Sequence, residues 1–286
     1  MKKGLYKTPL KSLLPPGMVA TKKWLSAQGL STHTLDNAVK TKTLLPLCPG
    51  VYSQYSRQLC WKGIIASLQR MHSIYDREQP SIHIGGLSAL ALTTTATAAK
   101  FAPHCWLNSP HPISINLYTE HKLPAWPVKL VHKLALPITI TTHRVKLLWP
   151  SHIMSNRQFL MLDEWQHGLP PVYYSCPEKA ILEALIEIPN SLHFEQADKL
   201  MRQIPPLLPK RLDELLLACH SIKVKRLFFW LCERQNYSWL SEIDVTRYNL
   251  GSGKRVIAQH GKLDKFYSIT VPSHMCELHQ NMPYSE

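Results

Sequence analysis

The chain has 286 residues, 45% of them hydrophobic and 18% charged, and carries 33 Lys and Arg against 19 Asp and Glu, a formal charge of +14. That profile excludes a disordered chain, suits two domains rather than one, and asks for a polyanionic partner. The seven cysteines (Cys48, Cys60, Cys105, Cys176, Cys219, Cys232 and Cys276) are dispersed without a Cys-x-x-Cys pair, which argues against a disulfide frame or zinc site and for free thiols in a reducing cytoplasm.

In chain order, Leu5, Leu10, Leu13 and Leu14 fall near helical spacing, with Pro9 predicting a kink or a late start. After Pro15–Pro16–Gly17 the segment VATKKWLSAQG predicts a short amphipathic helix with Val19, Trp24, Leu25 and Ala27 inward and Gly29 as its stop. Ser31 or Thr32 then caps a second helix, with Leu35, Ala38 and Val39 inward and His33, Asn37 and Lys40 outward. Two short helices around a Gly-containing turn form a helix-turn-helix, whose second helix reads the major groove. The two extended runs about Pro49–Gly50 in LLPLCPGVYSQY add a hairpin wing. A three-helix bundle with a solvated face gives a similar pattern. Charge separates the two, because residues 1–72 hold nine Lys and two Arg against the single acid Asp36.

Trp61–Met71 is the next predicted helix, and Pro80 closes the linker after it. SIHI is a short strand ending in Gly85–Gly86, from which LSALALTTTATAAK starts a helix. ISINLYTE, LPITITTHRVKLLW and PVYYS supply strands. CPEKAILEALIEIP, FEQADKLMRQI and the long segment RLDELLLACHSIKVKRLFFWLCERQ are predicted helices, and KRVIAQHG with KFYSITVP a hairpin about Gly261. The expected architecture is therefore α+β, with a winged helix-turn-helix over residues 1–75 and a mixed α/β domain over 76–286. The apolar run Leu87–Ala102 is too short and polar to span a membrane, and Lys7, Lys11 and Pro15–Pro16 leave no signal-peptide core.

Residues 14–52, LPPGMVATKKWLSAQGLSTHTLDNAVKTKTLLPLCPGVY, resemble the N-terminal domain of AbiEi-family antitoxins. SIHIGGLSAL, YYSCPEKAILEAL, CHSIKVKRLFFWLCERQ and NLGSGKRVIAQHGKLDKFYSITVP resemble the C-terminal domain of the same family, in the same order. Where many members of that family carry an arginine ahead of Gly-Val-Tyr in the wing, this sequence has Cys48–Pro49, so the minor-groove arginine contact that the resemblance would imply has no residue here. The resemblance implies an antitoxin of a type IV toxin–antitoxin, or abortive infection, system of phage defence. Such a protein represses its own operon and opposes a neighbouring nucleotidyltransferase-like toxin without needing a stable complex. It also implies cooperative binding to inverted repeats, with two copies meeting on DNA, and a C-terminal domain of degenerate nucleotidyltransferase-like fold.

For an enzyme the hook is the Gly85–Gly86 turn, since backbone amides at a helix start can receive a phosphate. Carboxylates placed to hold Mg²⁺ are missing: the next acids after Gly86 are Glu120, then Asp163 and Glu164, with no Asp-x-Asp or Asp-x-Glu on a following strand. No P-loop, GxSxG, GxGxxG or HExxH spacing occurs, so no cofactor or metal is expected. The candidate DNA-binding residues are Lys22, Lys23, Ser31, Thr32, His33, Asn37, Lys40, Lys42, Tyr52 and Arg57. A second basic set, Lys223, Lys225, Arg226, Lys254 and Arg255, is a candidate antitoxin surface, an auxiliary DNA contact or simply a solvated helix end. The functional expectation is a cytoplasmic DNA-binding repressor and antitoxin; a nucleotidyltransferase-like enzyme on the Gly85–Gly86 turn and a pure protein-interaction module are the alternatives.

Overall fold

The computed structural model describes residues 10–54, 59–72, 81–97, 113–144, 148–235 and 237–276. The chain forms two units that interleave in sequence: one holds residues 1–83, 110–143 and 161–174, the other 84–109, 144–160 and 175–286.

In the first unit, α1 (Leu10–Leu13) starts just after Pro9, and β1 (Val19–Thr21) leads into α2 (Lys22–Ala27) and α3 (Thr32–Lys40). The hairpin β2 (Leu44–Cys48) and β3 (Val51–Gln54) follows, and β3 is the middle strand of an antiparallel sheet β1-β3-β2. Val19 was expected on a helix; it is a strand residue because its neighbours pair with the hairpin, Val19 opposite Ser53 and Thr21 opposite Val51. Three residues are too few to show a period of two in the sequence.

Helix α4 (Trp61–Met71) braces these small elements through polar atoms on its buried face. Ser67 Oγ accepts from the Val19 amide at 2.9 Å and donates to the Gly63 carbonyl at 2.6 Å. Arg70 donates to the Leu13 carbonyl at 2.8 Å and lies over the Trp24 ring, 5.1 Å from its centroid. Gln69 pairs with the backbone of Tyr173 as a strand would, giving its amide at 2.8 Å and accepting at 2.9 Å. Gly63 faces the Gly17 carbonyl, and a Cβ there would sit well inside van der Waals contact of that oxygen.

A five-stranded sheet, β6 (Ile138–Arg144), β5 (Ile113–Thr119), β4 (Ile82–Ile84), β8 (Val172–Ser175) and β7 (Leu160–Asp163), runs in that order. His83, Tyr118 and His143 stack across three of its strands at centroid separations of 5.9 and 4.8 Å. Helix α6 (Trp126–Lys133), absent from the sequence expectation, lies between β5 and β6 in the chain and packs on α4 and β2.

The second unit is mainly helical: α5 (Gly86–Thr97), the short α7 (Ser151–Met154), α8 (Pro177–Leu185), α9 (Phe194–Gln203), α10 (Pro209–Ala218) and α11 (Ile222–Gln235). Helix α8, buried from Glu178 to Leu185, packs against α5, α10 and α11. One long helix was expected over residues 211–235; the structure has two. The break is tertiary, because the His220 amide donates to the Leu148 carbonyl at 3.0 Å and Ser221 Oγ caps the new helix by accepting from the Val224 amide at 3.3 Å. The terminal hairpin β9 (Lys262–Asp264) and β10 (Ile269–Val271) turns at Lys265–Ser268, not at Gly261 as expected. Gly261 instead sits where its backbone meets the Val271 carbonyl too closely for any Cβ.

No helix among the described residues is long and apolar enough to cross a membrane. Cys48, Cys60, Cys176, Cys219, Cys232 and Cys276 are free thiols, while Cys105 lies outside the described residues.

Gly63→Ala is expected to destabilise the protein by about 1–3 kcal/mol through overpacking against the Gly17 carbonyl. Urea denaturation checks this, with Gly50→Ala, which has open space but a positive φ of 73°, as the comparison that carries backbone strain alone.

Candidate nucleic-acid interface

The α2–turn–α3 geometry is fixed by its caps. Thr21 opens α2 by accepting from the Trp24 amide at 3.2 Å, and Gly29 closes it at a φ of +92°. The Leu30 amide then reaches the Leu25 carbonyl at 3.2 Å and the Gly29 amide the Ser26 carbonyl at 3.0 Å, a Schellman pair that reverses the chain toward α3. Ser31 is the cap of α3, its Oγ accepting from the Thr34 amide at 3.1 Å, so this candidate DNA residue has a structural duty. At the far end the same pair recurs: the Thr43 amide reaches the Ala38 carbonyl at 2.9 Å and the Lys42 amide the Val39 carbonyl at 3.1 Å. Lys42 therefore holds the left-handed position at a φ of +55°, which a non-glycine residue adopts at a cost of about 1–2 kcal/mol.

Leu35 and Ala38 bury the inner face of α3, and its outer face presents Thr32, His33, Asn37 and Lys40 to solvent. Asn37 Nδ2 and His33 Nδ1 are 3.3 Å apart, so the two candidate base-reading side chains support one another on adjacent turns. Lys23 is exposed and Lys22 half-buried, and the Lys22 amide donates to the Gly50 carbonyl at 2.7 Å, which ties the start of α2 to the hairpin turn. Tyr52 is half-buried on the central strand β3; Arg57 lies outside the described residues. Not every base of this region is free: Lys62 pairs with Asp163 at 2.7 Å.

The second basic set divides. Arg226 is buried at 3% exposure, and its guanidinium donates to the carbonyls of Leu250 (2.7 Å), Gly251 (2.9 Å), Gly253 (2.8 Å) and Ser268 (3.1 Å). Lys223 donates to the carbonyls of Ile186 and Ile188, and Lys225 is buried at 4% exposure. The expectation of a surface is thus corrected for Lys225 and Arg226, because both residues are buried and the Arg226 guanidinium is taken up by backbone carbonyls; Lys254 and Arg255 are exposed.

The Gly85–Gly86 turn has an internal occupant. Glu183, with no exposed surface, accepts from the Gly86 amide at 3.1 Å and Ser175 Oγ at 2.8 Å through one carboxylate oxygen, and from Trp149 Nε1 at 3.2 Å through the other. Lys179 Nζ lies 3.9 Å from the same carboxylate and donates to the Met154 carbonyl at 3.2 Å. Burial pushes the Lys179 ammonium below its ordinary pKa, and the Glu183 charge opposes that. Glu178, also buried, receives the Leu208 amide at 2.9 Å and Arg211 at 3.3 Å, ahead of α10. The sequence stripe on this helix gave no sign that its charged residues are internal. The thiols nearby are inert: burial pushes Cys176 up to about 12 and Cys219 up to about 11.

Two family models match the chain in succession. One, described as a transcriptional regulator, AbiEi antitoxin N-terminal domain, covers residues 7–100; the other, a transcriptional regulator, AbiEi antitoxin, Type IV TA system, covers residues 113–272. Among solved structures the chain is similar to the crystal structure of RV2827C protein from Mycobacterium tuberculosis, at 15% identity and a TM-score of 0.45 over 91% of this chain and 87% of that one. No curated protein matches it.

Glu183→Ala is expected to cost about 3–5 kcal/mol, because it strands a buried ammonium and three buried donors. Combining Glu183→Leu with Lys179→Met should recover part of that loss, which guanidinium denaturation of single and double variants measures.

Proposed function

This chain belongs to the AbiEi antitoxin family of type IV toxin–antitoxin transcriptional regulators, and from that premise we propose that residues 1–75 form a winged helix-turn-helix repressing its own operon. Residues 76–286 then carry the antitoxin role against a nucleotidyltransferase-like toxin, in the cytoplasm and in the service of phage defence. The observation that supports the DNA-binding part best is α3, which buries Leu35 and Ala38 on one face while His33, Asn37 and Lys40 stand exposed on the other. Lys22, Lys23 and Lys42 flank it as phosphate contacts. Two copies on inverted repeats would give each half-site one reading helix. For the antitoxin surface, Lys254 and Arg255 remain the candidates, and no stable complex with the toxin is required.

The enzyme reading is the weaker one. A turn that would receive a phosphate through the Gly86 amide has that amide bonded to the chain's own Glu183.

Asn37→Ala is expected to lose roughly 1–3 kcal/mol on the operator but little on scrambled duplex, if Asn37 makes a bidentate base contact. Lys23→Ala should weaken both alike and make the plot of log K against log salt shallower by about 0.9. Fluorescence anisotropy with the DNA upstream of the gene reads both. Equal effects of Asn37→Ala on the two duplexes would return α3 to a structural role. Co-expression with the neighbouring toxin separates the other function: Asn37→Ala is expected to rescue growth as well as the native chain while derepressing the operon.

A further inference from the structure

Resting on that DNA-binding reading, we propose that helix α6 (Trp126–Lys133) is a second phosphate-backbone contact, placed beside the wing and extending the DNA surface past the reading helix. Three observations within the first unit carry this. The wing sheet runs β1-β3-β2, so its two edges are β1 and β2. At the β1 edge the chain continues directly into Lys22 and Lys23, and the Lys22 amide is bonded to the Gly50 carbonyl in the hairpin turn. At the β2 edge Lys133 Nζ donates to the Leu47 carbonyl, which seats α6 against the strand just before that turn. Cations therefore stand at both margins of a sheet about 10 Å across.

The second observation is the face that α6 turns outward. Pro127, Leu130 and Val131 are buried, while Lys129, His132 and Lys133, spaced i, i+3 and i+4, are exposed on one side. A merely solvated helix mixes both signs of charge. Here the sequence runs from Glu120 to Asp163 without one acidic residue and with six Lys or Arg between them. Within this stretch α6 packs on α4 and β2 of the basic N-terminal region, although roughly fifty residues separate the two in sequence.

The third is the turn itself. Cys48–Pro49–Gly50 brings no cation to the wing, so the positive charge available to a phosphate at this place is carried by its flanks. The ligand class follows from the chemistry: lysine ammoniums act as point charges toward phosphate oxygens and read no base. The contact adds affinity to any duplex sequence and leaves sequence preference with α3.

Anisotropy titrations of the full-length chain on operator and scrambled duplexes, across a salt series, test this. Lys129→Ala removes one exposed charge, and Lys133→Gln removes another while keeping an N–H donor for the Leu47 carbonyl. Each is expected to weaken binding to both duplexes by the same factor and to make the salt slope shallower by about 0.9. Lys199→Ala, exposed on α9 of the second unit, should change neither. Salt slopes unchanged in Lys129→Ala and Lys133→Gln, with Lys23→Ala still lowering the slope, would overturn the role of α6 alone. Unchanged slopes in all three would overturn the DNA surface with it. A loss confined to the operator duplex would also count against the proposal, since it would make these lysines base readers.

Discussion

A carboxylate with no access to water must find its hydrogen bonds within the protein, and Glu183 finds them across the second unit. Its donors are Gly86, 97 residues earlier, Trp149, 34 earlier, and Ser175, 8 earlier. Gly86 is the first residue of α5, Ser175 the last of β8, and Trp149 lies two residues before α7, so one carboxylate ties together the start of α5, the end of β8 and the entry to α7. Lys179 one turn before it adds the carbonyl of Met154 to the same network. Such an arrangement contributes specificity as much as stability, since a partial set of partners would be worse than none.

The first unit solves a different problem. Its N-terminal helices and hairpin are too small to bury a core of their own, and α4 supplies the missing surface with Ser67, Gln69 and Arg70 as polar fasteners and Gly63 as the point of closest backbone approach. Because the inner side of α3 is closed by Leu35 and Ala38, its outer residues are left free of structural work, apart from the cap at Ser31. That division of labour between two faces of nine residues is what makes a short helix available for reading a partner.

How much of this the sequence disclosed depends on where each signal resides. Local signals were legible: a cap at Ser31 or Thr32, which the structure gives to Ser31, the hairpin about Pro49–Gly50, and Trp61–Met71 by its periodicity. Signals that depend on a distant partner were not. Nothing near Cys219 announces a helix break, because the residue that stops the helix is Leu148 and the cap is a serine that reads equally well as a helical surface. Lys225 and Arg226 looked like surface charge, since a sequence does not show that three carbonyls from one loop and a fourth from a hairpin turn will converge on a guanidinium. The outward face of α3 was visible at His33, Asn37 and Lys40, whereas α6 was missed because two prolines and a short length mask its period.

The loop held by Arg226 has a further electrical property. The four acceptors of Arg226 are neutral carbonyls, and an arginine does not lose its proton under any condition in which the fold survives. Burial lowers its pKa, and the neighbouring Arg255 acts in the same direction, yet the charge remains. The second unit thus keeps a positive charge in its interior that backbone dipoles solvate in place of water, as a bound ion would be solvated.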